Sequence, residues 1–367
     1  MSYANIATTS SIAHIEASKW ANSLATGGAA EFDSEAEKNA MIPLRKSAAR
    51  LLNCDMKDVC VGSSATELLS SLAWAIAPRK GSNIVSTEAS FPSTVYPWTR
   101  VSEEFGAELR LAPCDSKYYT KPDDILDLID ENTKVVTLSH VEYISGQRYD
   151  LELFAKAAHS VGALLIIDGT QSMGVIPINA YDSGADALVS SGYKWLRGCF
   201  GAAVAFISPE LNTSLFPGLL GFRSHKNIWD MNANHYQLPE DASRFEFSTI
   251  HFGSALGLAE SINEISEIGI ENIWEHDKKL VDLIISRSED INLEIISPLK
   301  DEERSAIVCI KTPSNFNSKT VVKMLQEEYG ILVTSRSGFI RVSPHIDNDE
   351  KQIHFLMDSL EEIFNLK

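Results

Sequence analysis

Seven short apolar runs carrying β-branched residues alternate with helix-length amphipathic stretches, and that alternation admits few architectures. Strands buried on both faces need helices on both faces, which is the α/β class with a mainly parallel sheet. The runs are DVCVGS (58–63), SNIVST (82–87), AELRLAP (107–113), KVVTLS (134–139), ALLIID (163–168), DALVSS (186–191) and AAVAFIS (202–208). Between them TELLSSLAWAIA (66–77), DDILDLID (123–130) and DLELFAKAAHSVG (150–162) read as helices, the last closed by a glycine at C′. In such sheets functional residues gather at the carboxyl ends of the strands.

After about residue 210 the texture changes to a long stretch rich in aromatic, Gly, Pro and Asn residues, a functional excursion rather than a linker. Helices resume at 254–269, followed by the strands IVCIK (307–311) and FIRVS (339–343) and a terminal helix 349–364. The division expected is a large unit over 15–255 and a small α/β unit over 256–367, with 1–14 packing alongside the latter. Hydrophobic residues at 44% and charged residues at 22% describe a folded globular chain. Its net charge of −18 repels nucleic acid and anionic lipid, so neither is an expected partner. The five cysteines form no CxxC and no zinc-type spacing, so no metal is expected and a reducing cytoplasm is the simplest setting. The first twenty residues lack a basic-then-apolar leader and no run approaches ~18 apolar residues, so secretion and membrane insertion are not expected.

The most informative segment is ALLIIDGTQSMG followed by DALVSSGYKWLRGCFGAA. One buried strand ends at Asp168, and the next ends just before Lys194. Singly, a strand-end Asp is an ordinary turn former and a loop Lys an ordinary surface charge. Together, at one sheet edge and in an apolar, Gly-rich setting, they suit a cofactor that needs an anion and an amine. Pyridoxal phosphate has those needs: its aldehyde condenses with a lysine, and its pyridine nitrogen stays protonated beside a carboxylate. No GxGxxG follows a strand here, which leaves a nucleotide-binding dehydrogenase without support.

From about residue 40 to 360, and most specifically over 135–210, the chain resembles fold-type-I pyridoxal-phosphate enzymes of the class V aminotransferase group, which includes cysteine desulfurases, selenocysteine lyases, kynureninases and isopenicillin N epimerases. The resemblance implies a large domain with a mainly parallel seven-stranded sheet plus a small C-terminal α/β domain. It makes Lys194 the Schiff-base lysine, Asp168 the partner of the pyridine nitrogen and Gln171 a neighbour of the ring hydroxyl. In VGSSATELL (61–69), Ala65 and Thr66 open a helix where the family binds phosphate, and Ser191 and Tyr193 face the same group. Phe91, in FPSTVY, is the expected aromatic cover over the pyridine ring, in a kynureninase-like setting. His140, in LSHVEYISGQRYDL, is a candidate contact to the substrate or ring hydroxyl. Thr249, in FEFSTIHFG, matches the loop that crosses a dimer interface to the other subunit's phosphate, which implies a homodimer with shared active sites.

Arg341, in GFIRVSPHIDNDE, resembles the family arginine that grips the substrate carboxylate, with Arg336 as a second anion binder. The segment GILVTSRSGFIR (330–341) lacks the persulfide-forming cysteine that desulfurases carry before this arginine, so persulfide chemistry on the protein is not expected. The leading expectation is an enzyme that takes an α-amino acid as an external aldimine and, as a lyase, eliminates a side-chain substituent. Class V aminotransferase and then epimerase activity are the alternatives, and a catalytically silent cofactor-binding relative is the alternative outside catalysis.

Overall fold

The computed structural model describes residues 1–365. Its large sheet has seven strands: β1 (Val59–Gly62), β2 (Asn83–Thr87), β3 (Glu108–Ala112), β4 (Thr133–Ser139), β5 (Leu164–Asp168), β6 (Ala187–Ser191) and β7 (Ala203–Ile207). They are ordered β1-β7-β6-β5-β4-β2-β3, with β7 antiparallel to both neighbours and the other pairings parallel. Successive side chains of a strand point to opposite faces. In β5, Leu165 and Ile167 join one core while Ile166 joins the other; in β7, Val204 and Phe206 part in the same way from Ala203, Ala205 and Ile207. Two-sided burial is why these runs are continuously apolar.

The helices expected at 66–77 and 150–162 are found as Ala65–Ile76 and Leu151–Ser160, and the second ends at Gly162, whose φ of 74 no β-branched residue would tolerate. The stretch 123–130 is helical only over Pro122–Leu126, because Asp130 is drawn out of helical backbone to bind Asn83 and Arg110 at the entrance to β4. A further helix, Pro92–Phe105, runs through Pro97. Pro92 occupies its first turn, where a missing N–H costs nothing.

The expected division at 255/256 does not coincide with the packing. The helix Phe252–Ile268 buries Ala255, Leu258, Ala259, Ile262 and Ile265 in the core under the large sheet, against the helix Ser11–Gly27. A Cβ on Gly257 would lie 2.5 Å from the Ala13 carbonyl oxygen, so that contact is backbone to backbone. The two cores part within the next helix, Ile270–Asp290: Ile273 belongs to the large one and Leu280, Val281 and Ile284 to the small one. The small unit holds a three-stranded antiparallel sheet ordered β8-β10-β9, from β8 (Val308–Lys311), β9 (Thr334–Arg336) and β10 (Phe339–Val342), covered by the helix Glu350–Phe364. At the amino terminus Ser2 bridges to Ser343, and Tyr3, Ala4 and Ala7 pack with Trp195 and Cys309 where the two units meet.

From 215 to 251 the chain is mostly irregular, with short helical turns at Phe222–Ser224 and Ala242–Phe245 and exposed Phe216, Met231 and Tyr236. Among the described residues no helix is long and apolar enough to cross a membrane.

Candidate active site

The turn after β6 is compressed from below. A Cβ on Gly192 would meet Leu258 Cδ2 at 2.5 Å, and one on Gly198 would meet Leu258 Cδ1 at 2.6 Å, so both glycines let the turn settle on the helix Phe252–Ile268. The Gly198 N–H donates to the Gly192 carbonyl and the Arg197 N–H to the Lys194 carbonyl. Trp195 is fully buried against His345, and its indole N–H donates to Gln171 Oε1 at 2.8 Å. Arg197, at φ 55, pairs with Glu264 at 3.1 Å and Asp347 at 3.0 Å. This clamp leaves Lys194 one direction for its side chain, into a cleft of about 420 Å³ at the carboxyl ends of β4, β5 and β6.

Lys194 is buried, and burial lowers its pKa to about 8, with Arg341 and Arg336 adding to the effect and Asp168 opposing it. An amine that loses its proton near neutrality can attack a carbonyl. Asp168 is fixed on both oxygens: Oδ2 accepts from the Thr94 hydroxyl at 3.1 Å and Oδ1 from the Thr170 N–H at 2.9 Å. At the far end of the cleft the helix Ala65–Ile76 presents its first amides. Ser64 Oγ already caps Glu67 N and the Ala65 N–H donates to Ser191 Oγ at 3.3 Å, which leaves the Thr66 N–H, together with the Ser191 hydroxyl hydrogen, for an anion. Tyr193 stacks on Phe200 with centroids 4.3 Å apart, and Phe91, half in solvent, lies with its ring centroid 5.5 Å from Lys194 Nζ.

Ala65, Thr66, Phe91, Asp168, Gln171, Ser191, Tyr193 and Lys194 therefore line one cleft. The Gln171 side chain is also tied to the Ala4 carbonyl, which fixes its orientation. Arg341 comes from β10 in the small unit: it is buried, and Nη1 donates to the Tyr143 carbonyl at 2.5 Å while Nε and Nη2 have no partner. Burial lowers its pKa to about 10. Arg336, half-buried, donates to Asn5 Oδ1 at 2.7 Å. Thr249 is exposed in the irregular segment and does not line the cleft of its own chain.

His140 is a correction. Its neighbours Ser139 and Val141 face the cleft, so strand alternation turns His140 to the opposite side, among Arg148, Tyr149 and Ile176, and burial lowers its pKa to about 3. The same parity brings in Tyr143, whose ring meets Phe91 edge-on at 5.1 Å. Ser93, Ser139, Thr170 and Tyr143 are lining residues that the motifs did not mark, although counting alternate positions from the end of β4 finds Ser139 and Tyr143. Glu142 was also unmarked: it is fully buried, accepts from the Ser90 hydroxyl at 2.9 Å, and burial pushes its pKa up to about 8, with the Asp168 charge raising it further.

These residues fit pyridoxal phosphate. They offer a buried amine of lowered basicity, a fixed carboxylate, a helix start with Ser191 beside it and a buried guanidinium with two unpartnered nitrogens. Known proteins agree. Residues 13–355 match the aminotransferase class-V family. A probable cysteine desulfurase of Methanothermobacter thermautotrophicus is 27% identical over 335 residues, covering 87% of this chain and 82% of that protein. Another, from Aeropyrum pernix, is 28% identical over 341 residues, covering 87% and 82%. Among solved structures, the apo cysteine desulfurase of Thermococcus onnurineus NA1 superposes with a TM-score of 0.87 at 22% identity, covering 99% of this chain and 93% of that one. The cystine C–S lyase C-DES, in complex with its product cysteine persulfide, does so with a TM-score of 0.88 at 19% identity, covering 98% and 96%. The chain belongs to the class-V aminotransferase family and is a pyridoxal-phosphate-dependent enzyme acting on an amino acid.

Proposed function

We propose that the protein is a carbon–sulfur lyase that acts on a cysteine-type amino acid and releases the sulfur fragment to solvent. The observation that carries this reading is the state of its thiols. None of the five cysteines lines the cleft, and each has its pKa raised, first by burial: Cys54 and Cys309 to about 12, with Cys60, Cys114 and Cys199 also moved upward. A thiol must ionise to accept sulfur, so none is prepared to carry a persulfide. Relatives named as cysteine desulfurases and the cystine lyase supply the substrate class.

In this reading Lys194 holds the cofactor covalently, Asp168 keeps the pyridine nitrogen protonated and Phe91 covers the ring. The helix start at Ala65 and Thr66, with Ser191 and Tyr193, takes the phosphate, and Gln171 stands beside the ring hydroxyl. When bound, pyridoxal phosphate supplies an electron sink conjugated to the substrate's amino group. Arg341 offers its unpartnered Nε and Nη2 to the α-carboxylate, the side-on geometry of a bidentate pair, with Arg336 as second anion binder. Once the substrate's amine displaced Lys194 from the cofactor, its freed Nζ would be placed to take the α-proton. Loss of the sulfur substituent with the C–S electrons and a proton, followed by addition of water, would balance as pyruvate, ammonia and the reduced sulfur fragment. Thr249, exposed in the same irregular stretch as Phe216, Met231 and Tyr236, would serve the phosphate of a second copy, so the working unit is a homodimer.

Glu142 keeps the charge on Asp168 single. Thr94 Oγ1 donates to Asp168 Oδ2 and lies 3.5 Å from Ser139 Oγ, while Ser90 donates to Glu142 Oε1 and the other Glu142 oxygen is buried without a partner. A second carboxylate charge beside these hydroxyls would repel Asp168, and Glu142 stays neutral instead.

The test of reaction type incubates the enzyme with cysteine or cystine without a keto acid. Pyruvate, ammonia and free sulfur species are expected, and none from Lys194→Ala; turnover that needs a keto acid, or sulfur retained on a protein cysteine, overturns the reading. Arg341→Ala should leave cofactor absorbance intact and weaken substrate by about 2–5 kcal/mol, read as a rise in KM. Light scattering on active enzyme should report a dimer, and a fully active monomer rules out the shared site. Glu142 holds its proton in the folded state between the ordinary carboxylate range and about pH 8, where the unfolded chain has lost it. Its contribution to stability is therefore full at low pH and lost as pH rises through that window. Relative to wild type, cofactor-free Glu142→Gln should gain roughly 1–3 kcal/mol between pH 5 and pH 8 in urea unfolding. Parallel stability curves would show that Glu142 does not hold the proton.

A further inference from the structure

The irregular segment carries a second cluster with no part in the cleft. We propose that His225, Asp230 and His235 form a binding site for a divalent transition-metal cation, zinc being the best match. One donor atom from each residue lies within 4.8 Å of the others. Asp230 Oδ2 is 3.8 Å from His225 Nε2 and 3.4 Å from His235 Nε2. Tetrahedral zinc with bonds of about 2.0–2.2 Å needs donors roughly 3.3 Å apart. The remaining contraction is small, and the exposed ring of His235 is free to supply it.

His225 gives the independent sign of a ligand. It is 9% exposed, yet its Nε2 is buried, has no hydrogen-bond partner and points at Asp230. Buried polar atoms are rarely left so, and a missing ion is one of the few reasons. The other ring nitrogen, Nδ1, lies 2.9 Å from both the Asn227 N–H, which donates to it, and the Asn227 carbonyl oxygen; metal binding would use the tautomer in which Nδ1 donates to the carbonyl instead and leaves the lone pair on Nε2, as in metal-bound histidines. Asp230 Oδ1 accepts from the Asn232 N–H at 3.1 Å, which turns Oδ2 to the histidines. Two imidazoles and one carboxylate exclude magnesium and calcium, which take all-oxygen shells, and select a transition metal. Three protein ligands leave a fourth position for water.

The loop is already closed by the Lys226 N–H on the Gln237 carbonyl at 2.7 Å, and Trp229 ties it to the Ser34 carbonyl. A metal would fasten His225, before that closure, to Asp230 and His235 within it. The expectation of no metal rested on cysteine spacing; two histidines ten residues apart around an aspartate, in a segment without periodicity, match no common zinc pattern.

The test uses holoenzyme stripped with a chelator, in phosphate-free buffer, titrated with zinc sulfate against a chromophoric chelator. One ion per chain is expected, undisturbed by excess magnesium. His235→Ala and Asp230→Asn, at partly exposed positions that keep the fold by circular dichroism, should each weaken binding tenfold or more, as should His225→Ala. Zinc should also slow proteolytic cleavage within 226–237 in the wild type and not in the variants. Zinc affinity that is absent, or equal in wild type and all three variants, overturns the proposal. Neither result depends on the reaction assigned to the cleft.

Discussion

A lysine taken out of water without an ion-pair partner governs the rest of this structure. Among the described residues Lys194 makes no salt bridge, and the two arginines that influence it add to its discomfort as a cation. A flexible chain would let such a side chain swing to solvent. Here the turn beneath it is held by glycines against Leu258, by buried Trp195 and by Arg197 on two carboxylates, so the cost of desolvation appears as lowered basicity. The large core and the seam between the units are thereby bound to the buried amine.

The second buried cation, Arg341, belongs to the other unit and shows the complementary arrangement. Its strand, β10, is flanked by β8 and β9, and Arg341 pairs in register with Cys309 on one side and Thr334 on the other. The guanidinium spends one nitrogen on the Tyr143 carbonyl and leaves two unused. Unpaired buried donors are costly, and a planar carboxylate is the group that satisfies two of them at once. Amine and guanidinium thus come from different units, and the packing of Tyr3, Ala4 and Ala7 at the seam helps to fix one relative to the other.

What could be seen in the sequence follows from how strongly each feature is patterned. Strands such as β5 and β7 are legible because burial on both faces leaves them almost wholly apolar, while edge strand β3, with Glu108 and Arg110, is legible only by alternation; Asp168 is legible because it ends β5, and Lys194 because it follows closely on the end of β6. Thr94 sits on, and Phe91 caps, a helix concealed by Pro92 and Pro97; Pro92 opens it, where a missing N–H costs nothing, but Pro97 lies inside it and forfeits one helical hydrogen bond. His140 was misplaced because one residue's shift along a strand exchanges faces. The helix Phe252–Ile268 carries a fine apolar stripe, but a stripe does not say which of two cores it will cover; the backbone contact of Gly257 with Ala13 decides it. Glu142 had no signature, since its proton is a consequence of burial first and of the nearby Asp168 charge second, against the opposing hydrogen bond from Ser90, and none of these is written in the local sequence.

The same distinction between pattern and environment bears on sulfur. Cys309 stands beside Arg341 in the small sheet, the nearest thing to a thiol at the carboxylate grip. Its S–H donates to the Ile144 carbonyl at 2.7 Å, and burial holds its pKa at about 12 despite the arginine's opposing charge. The positive charge that would normally create a thiolate is outweighed by loss of water, because both groups lie in the packed layer between β8 and β10. A cysteine at the exposed turn Ser337–Gly338 would escape that penalty, being hydrated and only a few residues from Arg341. The chain places a serine and a glycine there. In the proposed reaction the sulfur leaving group would therefore meet water, not a thiolate supplied by the described residues.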